Sequence, residues 1–358
     1  MRLLLLMRCC IYQAVKCEVR IYSHKWGSME LVIGETGVNS MRKFGILILC
    51  LLLAFLLPGC GSNSAPGSNQ GSIYMTITDD AGRTVVLPKK PQRIVVLSTS
   101  ELELLYAVGG QAIGRASTKA ETIPLPAVNL PEVGFVYNVN MEKLLALQPD
   151  LVIAHQGMHE KLIPVLESSN IPVLVVKMKK YEDIVAKATL FGEISGNTEK
   201  AEALIHDIEA KINAVQVKLP QKETKFAILH ATAKNVTVEL DSSVAGSTAK
   251  MLNLKNIASG DATLQKDLDA IPYSLEKLVA GDPDVIFVVT MGQPDEIEKR
   301  MKADVESNPA WNGLRAVKEK RMYFLPSELF LLNPGLHIDE SAAYMAKLVY
   351  PEVYGNVQ

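Results

Sequence analysis

The chain contains one stretch twice, and this internal repeat constrains the fold more than any other feature. "MEKLLALQPDLVIA" (Met141–Ala154) returns as "LEKLVAGDPDVIFV" (Leu275–Val288). In each copy an amphipathic segment ends at a Pro-Asp pair and an apolar run follows, which is the pattern of a short helix that leads into a buried strand. Two copies of one helix–strand unit predict two lobes of similar α/β build.

The first helical turn of each copy carries a glutamate, Glu142 in one and Glu276 in the other. Each predicted helix follows a residue that is favoured at the N-cap, Asn140 or Ser274. An acid in the first turn stabilises a helix through its dipole by about 0.3–1 kcal/mol. The dipole alone accounts for a glutamate in both copies, so the two residues by themselves leave a further role open.

The beginning of the chain has the pattern of an export signal. Residues 41–60, "MRKFGILILCLLLAFLLPGC", combine a positive start, an apolar run shorter than the about 20 residues of a membrane-spanning helix, and a lipobox-like end. This predicts a lipoprotein signal peptide with Cys60 as the lipidated residue; a plain signal peptide cleaved nearby is the alternative. Residues 1–40 precede a complete signal, and we interpret them as a mis-assigned upstream extension. Residues 61–72, rich in Gly, Ser and Asn, predict a flexible tether.

Apolar, β-branched runs alternate with helical patterns through the rest of the chain. Residues 73–195 begin with a hairpin pattern and form one lobe, residues 196–220 predict one long connecting helix, and residues 221–358 repeat the alternation as a second lobe. Strands that alternate with helices favour parallel pairing. The predicted fold class is α/β: two similar α/β lobes with central parallel sheets, joined by one long connecting helix, with a ligand cleft between the lobes.

Composition and motifs exclude several functions. The formal net charge is −2 and no basic patch occurs, so no nucleic-acid partner is expected. All five cysteines lie at or before Cys60, which leaves the folded part without a disulfide or a cysteine-based zinc site. A hydrolase nucleophile elbow, a phosphate-binding loop and a dinucleotide fingerprint are all missing. We therefore expect a binding protein without an intrinsic cofactor rather than an enzyme.

Ligands of two-lobed α/β proteins bind between the lobes, at loops that follow the strand ends. A histidine at a strand end can also be an ordinary satisfied polar residue, and a methionine can simply fill a gap in the core. With these alternatives open, the sequence offers six candidates for ligand binding: Ser100, Arg115, Tyr137, His155, His230 and Met291.

Several motifs, in order, resemble one family. The hairpin "TDDAGRTVVLPKKPQRIVVLS", the unit "VNMEKLLALQPDLVIA", the long helix and "NPAWNGLRAVKEKRMYFLP" are similar to the Fe/B12-type binding proteins of ABC importers, over nearly all of the chain after Ile73. The resemblance implies a lipoprotein that is anchored outside the cytoplasm and that partners an ABC permease dimer with its ATPase. Glu142 and Glu276 fall where members of that family dock on the two permease subunits, which would explain one glutamate per lobe.

The resemblance also implies the ligand class. An iron chelate, either a ferric siderophore or haem, is expected, with cobalamin as the alternative in the same family. Tyr137 and Met291 fall where haem-binding relatives have axial ligands. Transport of bare zinc or manganese is less favoured, because no close cluster of His, Asp and Glu occurs.

Overall fold

The computed structural model describes residues 73–118, 123–259, 268–331 and 334–357. The predicted upstream extension, signal peptide, lipidation site Cys60 and tether lie outside the described residues. Within the described ranges, no helix combines the length and apolar character that crossing a membrane requires.

The N-terminal lobe contains a six-stranded sheet with the strand order β6-β5-β4-β3-β7-β8. Its strands are β3 (Ile94–Val96), β4 (Gly114–Ser117), β5 (Glu132–Phe135), β6 (Asn138–Val139), β7 (Leu151–His155) and β8 (Val173–Val176). All neighbours pair in parallel except β5 and β6, which form an antiparallel edge hairpin. The parallel centre of the sheet agrees with the predicted fold class.

A separate hairpin of β1 (Met75–Thr78) and β2 (Thr84–Leu87) opens this lobe. Asp79 stabilises its turn by accepting the backbone N–H of Arg83 at 2.8 Å and pairing with the Arg83 guanidinium at 2.7 Å. The same guanidinium donates to the carbonyl of Val173, and Asp80 pairs with Lys187. These contacts hold the hairpin against the edge strand β8.

The C-terminal lobe contains a second six-stranded sheet. Strands β12, β10, β9, β13 and β14 follow one another in that order, and β11 pairs with β9. Their bounds are β9 (Lys225–Thr232), β10 (Val236–Glu239), β11 (Lys255–Asn256), β12 (Ala270–Pro272), β13 (Val285–Met291) and β14 (Met322–Leu325). The β9–β13–β14 and β9–β11 pairs are parallel, whereas β10 is antiparallel to both neighbours. The sheet is therefore mixed, with a parallel centre.

Helices cover both faces of each sheet. Those of the N-terminal lobe are Thr99–Ala107, Met141–Ala146, Ile163–Ser168 and Tyr181–Ser195. Those of the C-terminal lobe are Val244–Met251, Leu275–Gly281, Pro294–Ser307, Pro309–Gly313, Arg315–Lys318, Ser327–Phe330, Ile338–Val349 and Pro351–Tyr354. Three short 3₁₀ segments, Leu125–Ala127, Glu160–Leu162 and Gly335–His337, complete the described elements.

Alternation along the strands sends side chains to a core on each side of each sheet. In β3, Ile94 and Val96 join one cluster, while Val95 joins the opposite one. In β9, Phe226 and Ala227 divide in the same way. This two-sided burial is what parallel strands between helical layers require, and it explains the continuous apolar runs in the sequence.

One helix, Thr198–Gln216, connects the lobes, and it lies inside the predicted segment 196–220. Its buried Ile208 and Ile212 belong to the core of the N-terminal lobe, whereas Val215 packs against a core of the C-terminal lobe. The final helix makes the reverse crossing, because Ile338 at its start packs into the core of the N-terminal lobe. Both lobes are therefore tied through apolar contacts, not only through the chain.

Candidate functional site

A cleft of about 520 Å³ lies between the lobes and is lined by both. The N-terminal lobe contributes Ser98, Thr99, Ser100, Glu103, Ala116, Ser117, Thr118, Val136, His155 and Met158. The C-terminal lobe contributes Ser327, Glu328, Leu329, Pro334, His337 and Glu340. The first group follows the carboxyl ends of β3, β4 and β7, as expected for a parallel sheet.

Ser100 lines the cleft from the first turn of the helix Thr99–Ala107. Opposite it is Gly335, whose φ of +51° is unfavourable for other residues. A Cβ at Gly335 would lie 3.0 Å from the Ser100 Cβ. Glycine at 335 therefore lets the backbone of the C-terminal lobe approach the start of this helix.

His155, at the end of β7, faces the cleft and is paired with a buried carboxylate. Its Nδ1 lies 2.6 Å from Oε1 of Glu101, which is fully buried. Burial by itself raises the pKa of Glu101, but the hydrogen bond and charge of His155, with a contribution from Ser98, hold that pKa below its usual value. Burial lowers the pKa of His155, but Glu101 outweighs it and the His155 pKa is raised. The contact therefore favours the protonated His155 ring, and Nε2 is the ring nitrogen that Glu101 leaves available to a ligand.

A second histidine fixes the backbone beside this pair. Nδ1 of His159 accepts the backbone N–H of His155 at 2.8 Å, so its Nε2 carries the proton and donates to the carbonyl of Val136 at 2.7 Å. Burial lowers the pKa of His159, in agreement with a neutral ring. His159 therefore links the end of β7 to the β5–β6 hairpin, which carries Val136 into the cleft.

His337 joins the two lobes at the other wall of the cleft. Its Nδ1 lies 3.0 Å from Glu340 of its own lobe, and its Nε2 lies 3.7 Å from Glu103 of the N-terminal lobe. Burial lowers the pKa of His337, but Glu340, Glu103 and Asp339 outweigh it and the pKa is raised. The protonated ring can bridge carboxylates across the interface.

The structure brings two of the six predicted ligand residues, Ser100 and His155, into the described lining. Tyr137 is 79% exposed on the β5–β6 hairpin beside Val136, where it stacks on Phe135 with ring centroids 5.6 Å apart. Met291 is 53% exposed at the end of β13. Neither belongs to the described lining, so their assignment as ligand residues stays a prediction.

Arg115 and the Nδ1 of His230 have polar partners within their own lobes. Arg115 is buried, donates to the carbonyls of Ala116, Ala127 and Val128, and pairs with Glu132 at 2.8 Å. His230 lies 2.9 Å from Glu239 on the neighbouring strand. The geometry therefore favours a structural role for Arg115, which lies on β4 and holds the following loop, rather than the predicted ligand contact.

The two candidates of the C-terminal lobe, His230 and Met291, lie on β9 and β13, but the part of the described lining that this lobe contributes comes from segments within 327–340. The physical reason is the anchoring of Ile338 in the core of the N-terminal lobe, which holds this segment against the first helix. The His337/Glu340 spacing of i and i+3 was the one local signal for it. Glu101 and Glu103 read as ordinary helix residues in the sequence.

The two acids of the sequence repeat divide their roles in the same way in both lobes. Asp150 accepts the backbone N–H of Arg93 at 2.8 Å, and Asp284 accepts that of Lys225 at 2.8 Å, each at the start of the neighbouring strand. Glu142 and Glu276 are exposed, and in the part of the chain that the structure describes neither forms an ion pair. The aspartates are structural, whereas the glutamates are presented to solvent.

Over the described ranges, no group of three or more His, Cys, Asp or Glu side chains is placed to hold a metal ion.

Comparison with known proteins gives one family. The sequence model of the periplasmic binding protein family matches residues 94–329. The ABC transporter substrate-binding lipoprotein YvrC of Bacillus subtilis is 25% identical over 87% of this chain and 99% of its own. The Fe(3+)-citrate-binding protein YfmC of the same organism is 25% identical over 88% of this chain and 98% of its own. The crystal structure of Staphylococcus aureus IsdE complexed with heme superimposes with a TM-score of 0.64 at 20% identity, covering 72% of this chain and 98% of IsdE.

Proposed function

The chain belongs to the periplasmic binding protein family, and from this premise we propose that it is the extracytoplasmic binding component of an ABC importer that carries an iron chelate, either a ferric siderophore or haem. Relatives of similar length support this ligand class, since one is named for binding ferric citrate and another for haem uptake. Cobalamin is the alternative ligand.

The observation that carries the proposal is the cleft between the lobes with His155 at its wall. A volume of about 520 Å³ suits a small organic complex, and the lining mixes apolar and hydrogen-bonding groups. The carboxylate of Glu101 orients the His155 ring, so that its Nε2 can donate a hydrogen bond to an oxygen atom of a bound complex. Ser100 contributes a hydroxyl on the same side.

Direct titration tests the proposal. The purified full-length protein is mixed with haem, ferric siderophores, ferric citrate and cobalamin, and binding is followed by calorimetry and by absorption. We expect saturable binding of at least one iron complex, weakened roughly tenfold by His155→Ala because a central contact is lost. His206→Ala, on the exposed face of the connecting helix, is the matched control. If none of these complexes binds, the importer ligand class proposed here is wrong.

The same titration tests Tyr137 and Met291, the predicted ligand residues that lie outside the described lining of the cleft. A Tyr137→Ala, Met291→Ala double variant weakens binding if these exposed side chains close over the ligand, and a change in the haem Soret band would identify them as axial ligands. Unchanged affinity and spectrum would remove both from the site.

Delivery is proposed to use the lipid anchor and the two repeat helices. Cys60 is proposed as the lipidated N-terminal residue, and the intact mass of native protein should then begin at Cys60 with lipid attached. Exposed Glu142 and Glu276, one per lobe, are proposed to contact the two permease subunits, because two similar helices present them in equivalent positions.

A further inference from the structure

The charged side chains that line the cleft are mainly acidic. Glu103 from the N-terminal lobe and Glu328 and Glu340 from the C-terminal lobe line it. Among the lining residues that the structure describes, no lysine or arginine accompanies them. A ligand between the lobes therefore meets carboxylates from both sides.

The two histidines of the cleft do not cancel this charge. His155 pairs with the buried Glu101, and His337 lies between Glu340 and Glu103. Even with both rings protonated, the carboxylates of Glu101, Glu103, Glu328 and Glu340 outnumber the two imidazolium groups. Among the described residues that line the cleft, the three carboxylates of Glu103, Glu328 and Glu340 outnumber the two histidines in either protonation state.

Cationic side chains of the surrounding elements are directed to other carboxylates. Lys179 pairs with Asp269, and Lys187 pairs with Asp80 at 2.7 Å. Lys211 lies 2.9 Å from Asp207 and 3.6 Å from Asp339. Arg115 is buried against carbonyls and Glu132. Each of these cations has a partner outside the cleft, and of the four only Lys179 also acts through its charge on His155, whose pKa it lowers.

We propose that the cleft selects a metal chelate with a net positive charge, such as a ferric trihydroxamate that carries an ammonium group, and discriminates against polyanionic chelates. The inference rests on the proposed function and names the ligand class for the same site. A cation gains Coulomb attraction from Glu103, Glu328 and Glu340, whereas a carboxylate-rich or catecholate complex is repelled, and the low dielectric of a cleft strengthens both effects.

A charge series on one chelate tests the inference. Ferrioxamine B carries one positive charge on its pendant amine; its N-acetyl derivative is neutral and its N-succinyl derivative carries one negative charge, with the same ferric coordination. Calorimetric titration of the full-length protein should give Kd values that rise in that order, by roughly tenfold or more between the ends of the series. The difference should shrink as salt is raised.

Matched variants locate the effect. In Glu103→Gln, Glu328→Gln, Glu340→Gln the preference for the cationic complex should fall to less than about threefold, because the charge is removed and the shape is kept. A control triple variant, Glu202→Gln, Glu319→Gln, Glu352→Gln, changes the net charge equally at exposed positions outside the lining and should keep the preference.

The outcomes separate this inference from the proposed function. Equal binding of the three derivatives, tighter binding of the negative one, or a preference for haem or ferric citrate, which both carry carboxylates, over every cationic complex overturns the charge selection while leaving an iron-chelate importer in place. Failure to bind any ferric complex, haem or cobalamin overturns both.

Discussion

Glu101 and His155 show how one buried residue can set the chemistry of an exposed site. Glu101 is fully buried, and its carboxylate holds the cleft-facing imidazole at 2.6 Å. Burial alone would lower the pKa of His155, so the raised pKa of the ring depends on its partner Glu101. The pKa of His155, which lines the cleft, therefore depends on Glu101, which does not.

Replacing Glu101 by glutamine tests this dependence. Glu101→Gln keeps the side-chain shape but removes the charge, so burial is no longer opposed and the pKa of His155 should fall below its usual value of about 6.5. NMR titration of the His155 ring measures the change, with the exposed His206 as internal control. An unchanged His155 pKa in this variant would show that Glu101 does not control the ring.

His337 predicts a pH-dependent contribution to stability. Its pKa is raised in the folded protein, so its stabilising contacts with Glu340 and Glu103 are fully present below the unfolded pKa of about 6.5 and are lost as the pH rises through the folded pKa. The difference in free energy of unfolding between wild type and His337→Gln should therefore be larger at pH 6 than at pH 9. Urea denaturation at several pH values measures it; a difference that grows with pH would contradict the assignment.

At the scale of elements, each copy of the repeated helix–strand unit contains two acids with different roles. The aspartate forms structural hydrogen bonds, and the glutamate is exposed to solvent. Asp150 and Asp284 each connect the unit to the adjacent strand, through reciprocal backbone and side-chain hydrogen bonds with Arg93 and Lys225. Glu142 and Glu276 contribute little inside the lobe beyond the helix dipole. The repeat in the sequence thus records one packing solution used twice, with an exposed acid on each copy.

Stability measurements should separate the two kinds of acid. Asp150→Ala and Asp284→Ala each remove the acceptor of a backbone N–H group that is not fully buried, and each should lower the free energy of unfolding by about 0.5–1.5 kcal/mol. Glu142→Ala and Glu276→Ala should change it by about 0.5 kcal/mol or less, because the side chains are exposed. Urea denaturation compares all four.

The glutamate substitutions, which should barely change stability, should have a large effect on transport. The Glu142→Ala, Glu276→Ala double variant should lose ligand uptake and stimulation of the transporter ATPase while keeping its affinity for the ligand. Uptake at the wild-type rate in that variant would remove these residues from the docking surface.

For the whole molecule, the two crossings between lobes limit how far the cleft can open. The connecting helix Thr198–Gln216 packs on cores of both lobes, and Ile338 carries the final helix into the N-terminal core. A hinge needs a few residues that absorb large backbone changes, and a helix of this length packed at both ends does not supply them. We infer that the lobes close only slightly around a ligand.

Solution scattering measures this rigidity. The radius of gyration of the protein should be the same, within the error of the measurement, with and without a saturating ligand identified by the titration. A clear decrease on binding would indicate a hinge motion and contradict the inference drawn from the two crossings.

Local sequence patterns were sufficient to predict the secondary-structure elements and their order. Periodicity, caps such as Asn140 and Ser274, and the repeat predicted the two α/β lobes and the connecting helix, because each signal depends on residues within a few positions. The rule that ligands meet the carboxyl ends of parallel strands singled out Ser100 and His155, which line the cleft, and their contact with a ligand stays a prediction. The antiparallel edges of both sheets were not predicted, since short edge strands leave a weak periodic signal.

Which side chains come into contact depends on the tertiary structure. Glu101 and His155 are separated by 54 positions, and His337 meets Glu103 across the interface between the lobes. Such pairs depend on how the connecting helix and the anchored Ile338 set one lobe against the other. Sequence patterns report the face on which a residue lies, but the identity of its partner across a cleft follows from the packing of distant elements, which no local pattern encodes.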